Sequence, residues 1–148
     1  RVHIMILVCN FSVIADIYNH ALEDPTVEIC GALLGSKSSD TYWHCMEYMR
    51  MRNTEISSKA EVYYTPKPED LFNVLSKTTH MHDDADYDLV GIAHTHPRHH
   101  PIPSTTDLNY AGYEGVYIIF SPMYRSMTAW YFDGVIREFN EAQIIIQN

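Results

Sequence analysis

Two histidines two residues apart, His94 and His96, stand at the end of the apolar run DLVGIAH (88–94). On an extended backbone, side chains at i and i+2 face the same way, so both imidazoles are placed to grip one ion. Asp107 follows within STTDLNYAG (104–112), a stretch that opens on a helix-start signal. On the first helical turn its short carboxylate reaches back toward the strand. Two imidazoles and one carboxylate suit zinc and leave a fourth position for water. The loop between, PRHHPIP, holds three prolines, and its stiffness reduces the entropy lost when the ligands converge.

Each of these residues also has an ordinary reading. A His-x-His pair alone is ambiguous, since most strand histidines are satisfied in the core or exposed. Ser104 with Asp107 three positions on is a common helix cap, although a cap that fixes the helix also fixes where Asp107 points. Glu28 interrupts the apolar run VEICGALLGS (27–36). Burying a lone carboxylate is costly. Glu28 is therefore either a strand-end residue reaching water or a general base facing a metal-bound water.

The elements that must position these groups follow from periodicity. Residues 2–9 form an apolar run of strand length, and Ser12 reads as the N-cap of a helix with Val13, Ile14, Ile17, Tyr18, Ala21 and Leu22 on one face. Pro25 ends it. Strands are expected at 27–36, 41–51, 61–65 and 88–94, and a helix with a proline-rich first turn begins near residue 66. VYIIF (116–120) is a further strand. MTAWYF and VIREF flank Asp133-Gly134, a two-residue hairpin signal whose turn positions need positive φ. The tail EAQIII is left as strand or helix. This order of elements indicates an α/β or α+β fold.

With 148 residues, the chain suits one domain spanning 1–148. Nineteen acidic against ten basic side chains give a formal charge of −9, which repels phosphate backbones and argues against a nucleic-acid partner. No stretch is long enough to span a bilayer, and the apolar start lacks a cleavage pattern, so a cytoplasmic protein without a membrane partner is expected. Cys9, Cys30 and Cys45 have no metal-type spacing and read as buried small hydrophobes in a reducing compartment.

The assembled set resembles the JAMM/MPN+ metalloprotease family, whose signature is a distant Glu, then His-(Ser/Thr)-His, seven residues, Ser, two residues and Asp. Glu28 stands in VEICGALLG, and His94-Thr95-His96 is followed by Pro97 through Pro103, Ser104, Thr105-Thr106 and Asp107. Every position is filled at the required spacing. The resemblance implies an MPN-type fold, a curved mixed β-sheet flanked by helices and distantly similar to cytidine deaminases. It implies zinc held by His94, His96 and Asp107, and hydrolysis of isopeptide or peptide bonds at the C-terminus of ubiquitin or a ubiquitin-like protein. Glu28 then takes a proton from the metal-bound water and gives one to the leaving amine, while the Ser104 hydroxyl meets the oxyanion.

Two other readings stay open: the same chemistry on a sulfur-carrier adduct or small peptide, and a non-catalytic MPN interaction module, as a homodimer or in a larger complex. A His-x-His amidohydrolase barrel needs about 250 residues. A non-haem iron oxygenase would leave Glu28 and Ser104 without roles. His99 and His100 are expected to be exposed on the substrate side. His80 and His82, followed by Asp83 and Asp84, read as a solvated acidic loop. The aromatic residues are assigned to core or half-buried strand faces rather than to substrate.

Overall fold

The computed structural model describes residues 4–55, 57–78 and 87–148; His80, His82 and the acidic stretch after them lie outside these. The apolar start yields strand β1 (Ile6–Asn10), which runs directly into helix α1 (Phe11–Glu23). The N-cap is Asn10 rather than Ser12, and no side chain caps the helix. Val13, Ile17 and Ala21, one helical turn apart, form its buried stripe. Strand β2 (Cys30–Lys37) and strand β3 (Tyr42–Met51) follow, then helix α2 (Pro68–Leu75), strand β4 (Asp88–Thr95) and helix α3 (Thr105–Tyr110). Strands β5 (Gly115–Ser121), β6 (Ser126–Asp133) and β7 (Glu138–Gln147) complete the chain.

The seven strands form one sheet in the order β1-β3-β2-β4-β5-β6-β7, which closes because β7 also pairs with β1. The pairs β1–β3, β4–β5 and β1–β7 are parallel and the rest antiparallel. The family resemblance implies a curved mixed sheet, and here the curvature runs to closure. Strand β7 achieves this with its two halves: residues 138–142 pair with β6, and residues 143–147 pair with β1. The undecided tail is thus a strand. Two register slips accompany the curvature. Pairing with β2 skips Met46 in β3 and Val90 in β4, and such bulges bend and twist a strand.

Strand β2 is buried on both faces, which explains its unbroken apolar run. Leu33 packs with Leu7, Cys45, Val90 and the α1 stripe, while Cys30, Ala32 and Leu34 pack with Met51, Leu89 and Val74 of α2. All three cysteines are buried and unpaired.

Two local expectations are corrected. EVYYT (61–65) is no strand: residues 57–61 form a 3₁₀ turn, and only an isolated bridge joins Asn53 to Pro66. Nor is Asp133-Gly134 a two-residue turn. The loop runs from Gly134 to Arg137, and the Asp133 carboxylate accepts the amides of Val135 (2.9 Å) and Ile136 (3.3 Å). Arg137 takes the left-handed conformation at φ 53°, as Arg125 does at φ 50° in the β5–β6 loop. The side-chain bonds of Asp133 favour the longer loop.

Candidate active site

Strand β4 delivers the two histidines. After the Val90 slip, Ile92, His94 and His96 share the face turned toward α3. His94 lies beside Ile119 in the parallel β4–β5 pair, and the His96 amide donates to the Phe120 carbonyl at 2.9 Å. Both rings are buried, His94 at 1% exposure and His96 at 4%. Their Nε2 atoms lie 3.2 Å apart.

Helix α3 delivers Asp107. The Ser104 hydroxyl accepts the Asp107 amide at 3.0 Å, and the Asp107 carboxylate accepts the Ser104 amide at 2.9 Å, a reciprocal capping box. One carboxylate oxygen lies 3.1 Å from His94 Nε2 and the other 3.0 Å from His96 Nε2. Burial alone pushes the Asp107 carboxyl up, but the adjacent His94 and hydrogen bonds from both histidines and the Ser104 amide outweigh it and hold it far below the usual range.

The donor set fits a divalent cation. Bonds of about 2.0–2.1 Å around tetrahedral zinc place neighbouring ligand atoms about 3.3 Å apart, close to the separations here. The tautomer also fits. His96 Nδ1 donates to the His100 carbonyl at 2.9 Å, which turns the lone pair of Nε2 inward. Among the described residues His94 Nδ1 is buried without a hydrogen-bond partner, and its ring stacks on Tyr64 at 4.8 Å. Among the described residues, His94, His96 and Asp107 are the one group of three or more donors able to hold a metal ion.

Glu28 precedes β2 rather than lying within it. Thr95, between the two histidines, anchors the segment: its hydroxyl accepts the Ile29 amide at 2.9 Å and its amide donates to the Ile29 carbonyl at 3.2 Å. Glu28 is only 5% exposed. Burial pushes its carboxyl up to about 8, with Asp107 raising it further and His96 opposing. At that exposure Glu28 does not reach bulk solvent from a strand end.

Glu28 and Asp107 line one cleft of about 360 Å³. Its walls carry Tyr63, Tyr64, Tyr110, Tyr113 and Tyr117, which corrects the assignment of the tyrosines to core and strand faces alone. Asp107 and Tyr110 are three apart on α3, a spacing that puts both on one side of a helix. Tyr63 and Tyr64 lie in the segment taken for a strand. Ser104 is exposed and lines a second groove with Trp130 and Arg137. His99 and His100 are exposed, as expected; the His100 ring stacks on Tyr124 at 3.7 Å, and its carbonyl orients His96.

Residues 11–133 match the family described as prokaryotic homologs of the JAB domain. The chain belongs to that family. A desampylase of Haloferax volcanii is 33% identical and aligns with 88% of this chain and 89% of its own length. Two solved structures share the JAB-domain fold. A Desulfitobacterium hafniense protein superposes with a TM-score of 0.77 at 18% identity, covering 96% of this chain and 93% of its own. A Salinibacter ruber protein gives 0.64 at 23% identity, covering 95% and 91%. Among the described residues of this JAB-domain chain, no helix is long and apolar enough to cross a membrane.

Proposed function

We propose that this chain is a zinc-dependent hydrolase that cleaves isopeptide or peptide bonds at the C-terminus of ubiquitin or a ubiquitin-like protein. The observation that carries the reading is the convergence of His94, His96 and Asp107 at 3.0–3.2 Å, with a buried carboxyl, Glu28, lining the same cleft as Asp107. Kinship with a protein named desampylase, an enzyme named for taking off a conjugated group, supports the substrate class. His94 and His96 would hold the metal through Nε2 and Asp107 through its carboxylate. Zinc bound there supplies Lewis acidity that makes water nucleophilic near neutral pH.

The chain's own groups carry the protons. Glu28, buried on the cleft that Asp107 also lines, accepts the proton of the attacking water and passes it to the leaving amine. The Ser104 oxygen accepts the Asp107 amide with a lone pair, so its proton is free to donate to the developing oxyanion. The tyrosine-lined cleft receives the extended tail that carries the scissile bond.

Incubation with a panel of ubiquitin-like conjugates, with and without a zinc chelator, tests the reading. Chelator-sensitive cleavage is expected. Glu28→Gln should keep the metal and lose at least about 100-fold in turnover, whereas His96→Ala should lose both. A zinc-loaded protein inert toward every conjugate would leave a non-catalytic interaction module, and cleavage confined to sulfur-carrier adducts or small peptides would move the substrate class.

A further inference from the structure

Glu28 carries no side-chain hydrogen bond among those found in the described structure, so its direction must be set through its backbone. Its amide donates to the Ala60 carbonyl at 2.6 Å, which fixes the peptide plane before it. Its carbonyl accepts from Asn53 Nδ2 at 2.9 Å, and this bond, with that of the Ile29 amide to the Thr95 hydroxyl, fixes the plane after it. With both flanking planes held, the Cα–Cβ bond of Glu28 has one direction.

Asn53 uses its whole side chain in this task. The same Nδ2 donates to the Tyr63 carbonyl at 2.9 Å, and Oδ1 accepts the amides of Glu55 and Thr65, both at 3.0 Å. Two donors and two lone pairs are all a carboxamide offers. Asn53 therefore takes the place of a paired strand, joining the Glu28 segment to the cleft wall at Tyr63–Thr65. Its own backbone is held from outside: the Asp70 carboxylate accepts the Arg52 amide at 2.7 Å and brackets the Arg52 guanidinium at 2.7 and 3.0 Å. We infer that Asn53 is the positioning residue for Glu28, registering that carboxyl and the tyrosine wall to the His94–His96–Asp107 centre. The inference rests on the proposed proton-carrying role of Glu28.

The test is a double-mutant cycle, run on ubiquitin carrying a C-terminal aminocoumarin amide. Asn53→Asp is nearly isosteric and keeps both accepted bonds, but it loses the two donated ones and sets a carboxylate against two carbonyls. It is expected to lower kcat about 10- to 100-fold, the range a displacement of about 1 Å produces, while zinc affinity stays within about twofold. In the Glu28→Gln background the same substitution should cost almost nothing, because its effect passes through the missing carboxylate. Equal losses in both backgrounds, or no loss in the parent, would overturn the inference. A fully active Glu28→Gln variant would instead overturn the reading on which it rests. Hydrogen exchange gives a readout independent of turnover: the Glu28 amide should exchange faster in Asn53→Asp, while the Thr65 amide, whose bond is kept, and those of β4 do not change. Asn53→Ser, which removes the carboxamide without adding charge, gives the same comparisons if the aspartate variant does not fold, and unchanged exchange at Glu28 in it would also overturn the inference.

Discussion

The Ser104 oxygen has two tasks that substitutions can separate. As N-cap it satisfies an otherwise orphan amide of α3, and in the proposed reaction its hydroxyl would offer a proton to the reacting carbonyl. Ser104→Ala should cost about 1 kcal/mol of stability through the cap and about 100-fold or more in turnover through the lost donor. Ser104→Gly caps nearly as well, so chemical denaturation should show most of the stability restored while turnover stays low. Ser104→Thr should keep both. If glycine restored turnover along with stability, the hydroxyl would have no part in the chemistry. The residues of the centre differ in how far the sequence discloses them. Glu28 is visible as a charge in an apolar run, and the histidines and Asp107 by spacing. Asn53 and Tyr64 are not, because each acts across a long sequence separation, on Glu28 and on His94, and nothing in its immediate neighbours marks it.

Element by element, the position of His94 depends on how closely β4 and β5 approach. A Cβ added at Gly91 would lie 1.7 Å from the Val116 carbonyl oxygen, which is backbone and has nowhere to go. Gly91→Ala must therefore part the two strands three residues before the first histidine. A loss of about 3 kcal/mol or more in urea unfolding is expected, together with weakened zinc affinity in whatever fraction stays folded. Unchanged values for both would mean that β4 is positioned by β2 alone. Where local pattern and tertiary demand agree, the elements are legible: β5 matches its apolar run, and α1 buries Val13, Ile17 and Ala21 of its expected face while Tyr18 and Leu22 are exposed. EVYYT has the β-branched and aromatic composition of a strand, yet its Tyr63 carbonyl and Thr65 amide bond to the Asn53 side chain. A side chain serves where a neighbouring strand was expected, and composition cannot distinguish the two. The Asp133 loop departs for a related reason, since a side-chain bond formed two residues on outcompetes the tight turn.

For the whole molecule, closure joins the two ends of the described chain through β1 and β7, a parallel pairing of residues more than a hundred positions apart that no local pattern encodes. A metal held by His94, His96 and Asp107 would add a second tie, between β4 and α3. Zinc loading should raise the thermal midpoint, by the equivalent of about 2.7 kcal/mol at a hundredfold excess over Kd, and His96→Ala should abolish the shift. A third tie fixes α1 to the sheet and adds to the acid dependence of stability. The Tyr48 hydroxyl lies 2.7 Å from His20 Nδ1, and the Tyr48 ring lies flush against Gly31, where an added Cβ would meet it at 2.1 Å. Burial pushes His20 down to about 4, with Arg50 lowering it further and Glu23 opposing. Unfolded, the ring titrates near 6.5, so between about 6.5 and 4 the unfolded chain binds more protons than the folded one. Stability from this group is complete above about 6.5 and drains away as pH falls toward 4. Glu28 slopes the other way in the metal-free protein. Its folded carboxyl titrates near 8, so it costs stability as pH rises from about 4.5 to 8. The midpoint of the parent protein alone therefore mixes two opposed slopes. Subtracting the midpoint of His20→Gln, which keeps a polar partner for Tyr48 but does not titrate, cancels every group other than residue 20. The difference should be flat above pH 6.5 and should fall steadily below it; a difference independent of pH across that window would show that His20 folds as readily charged as neutral.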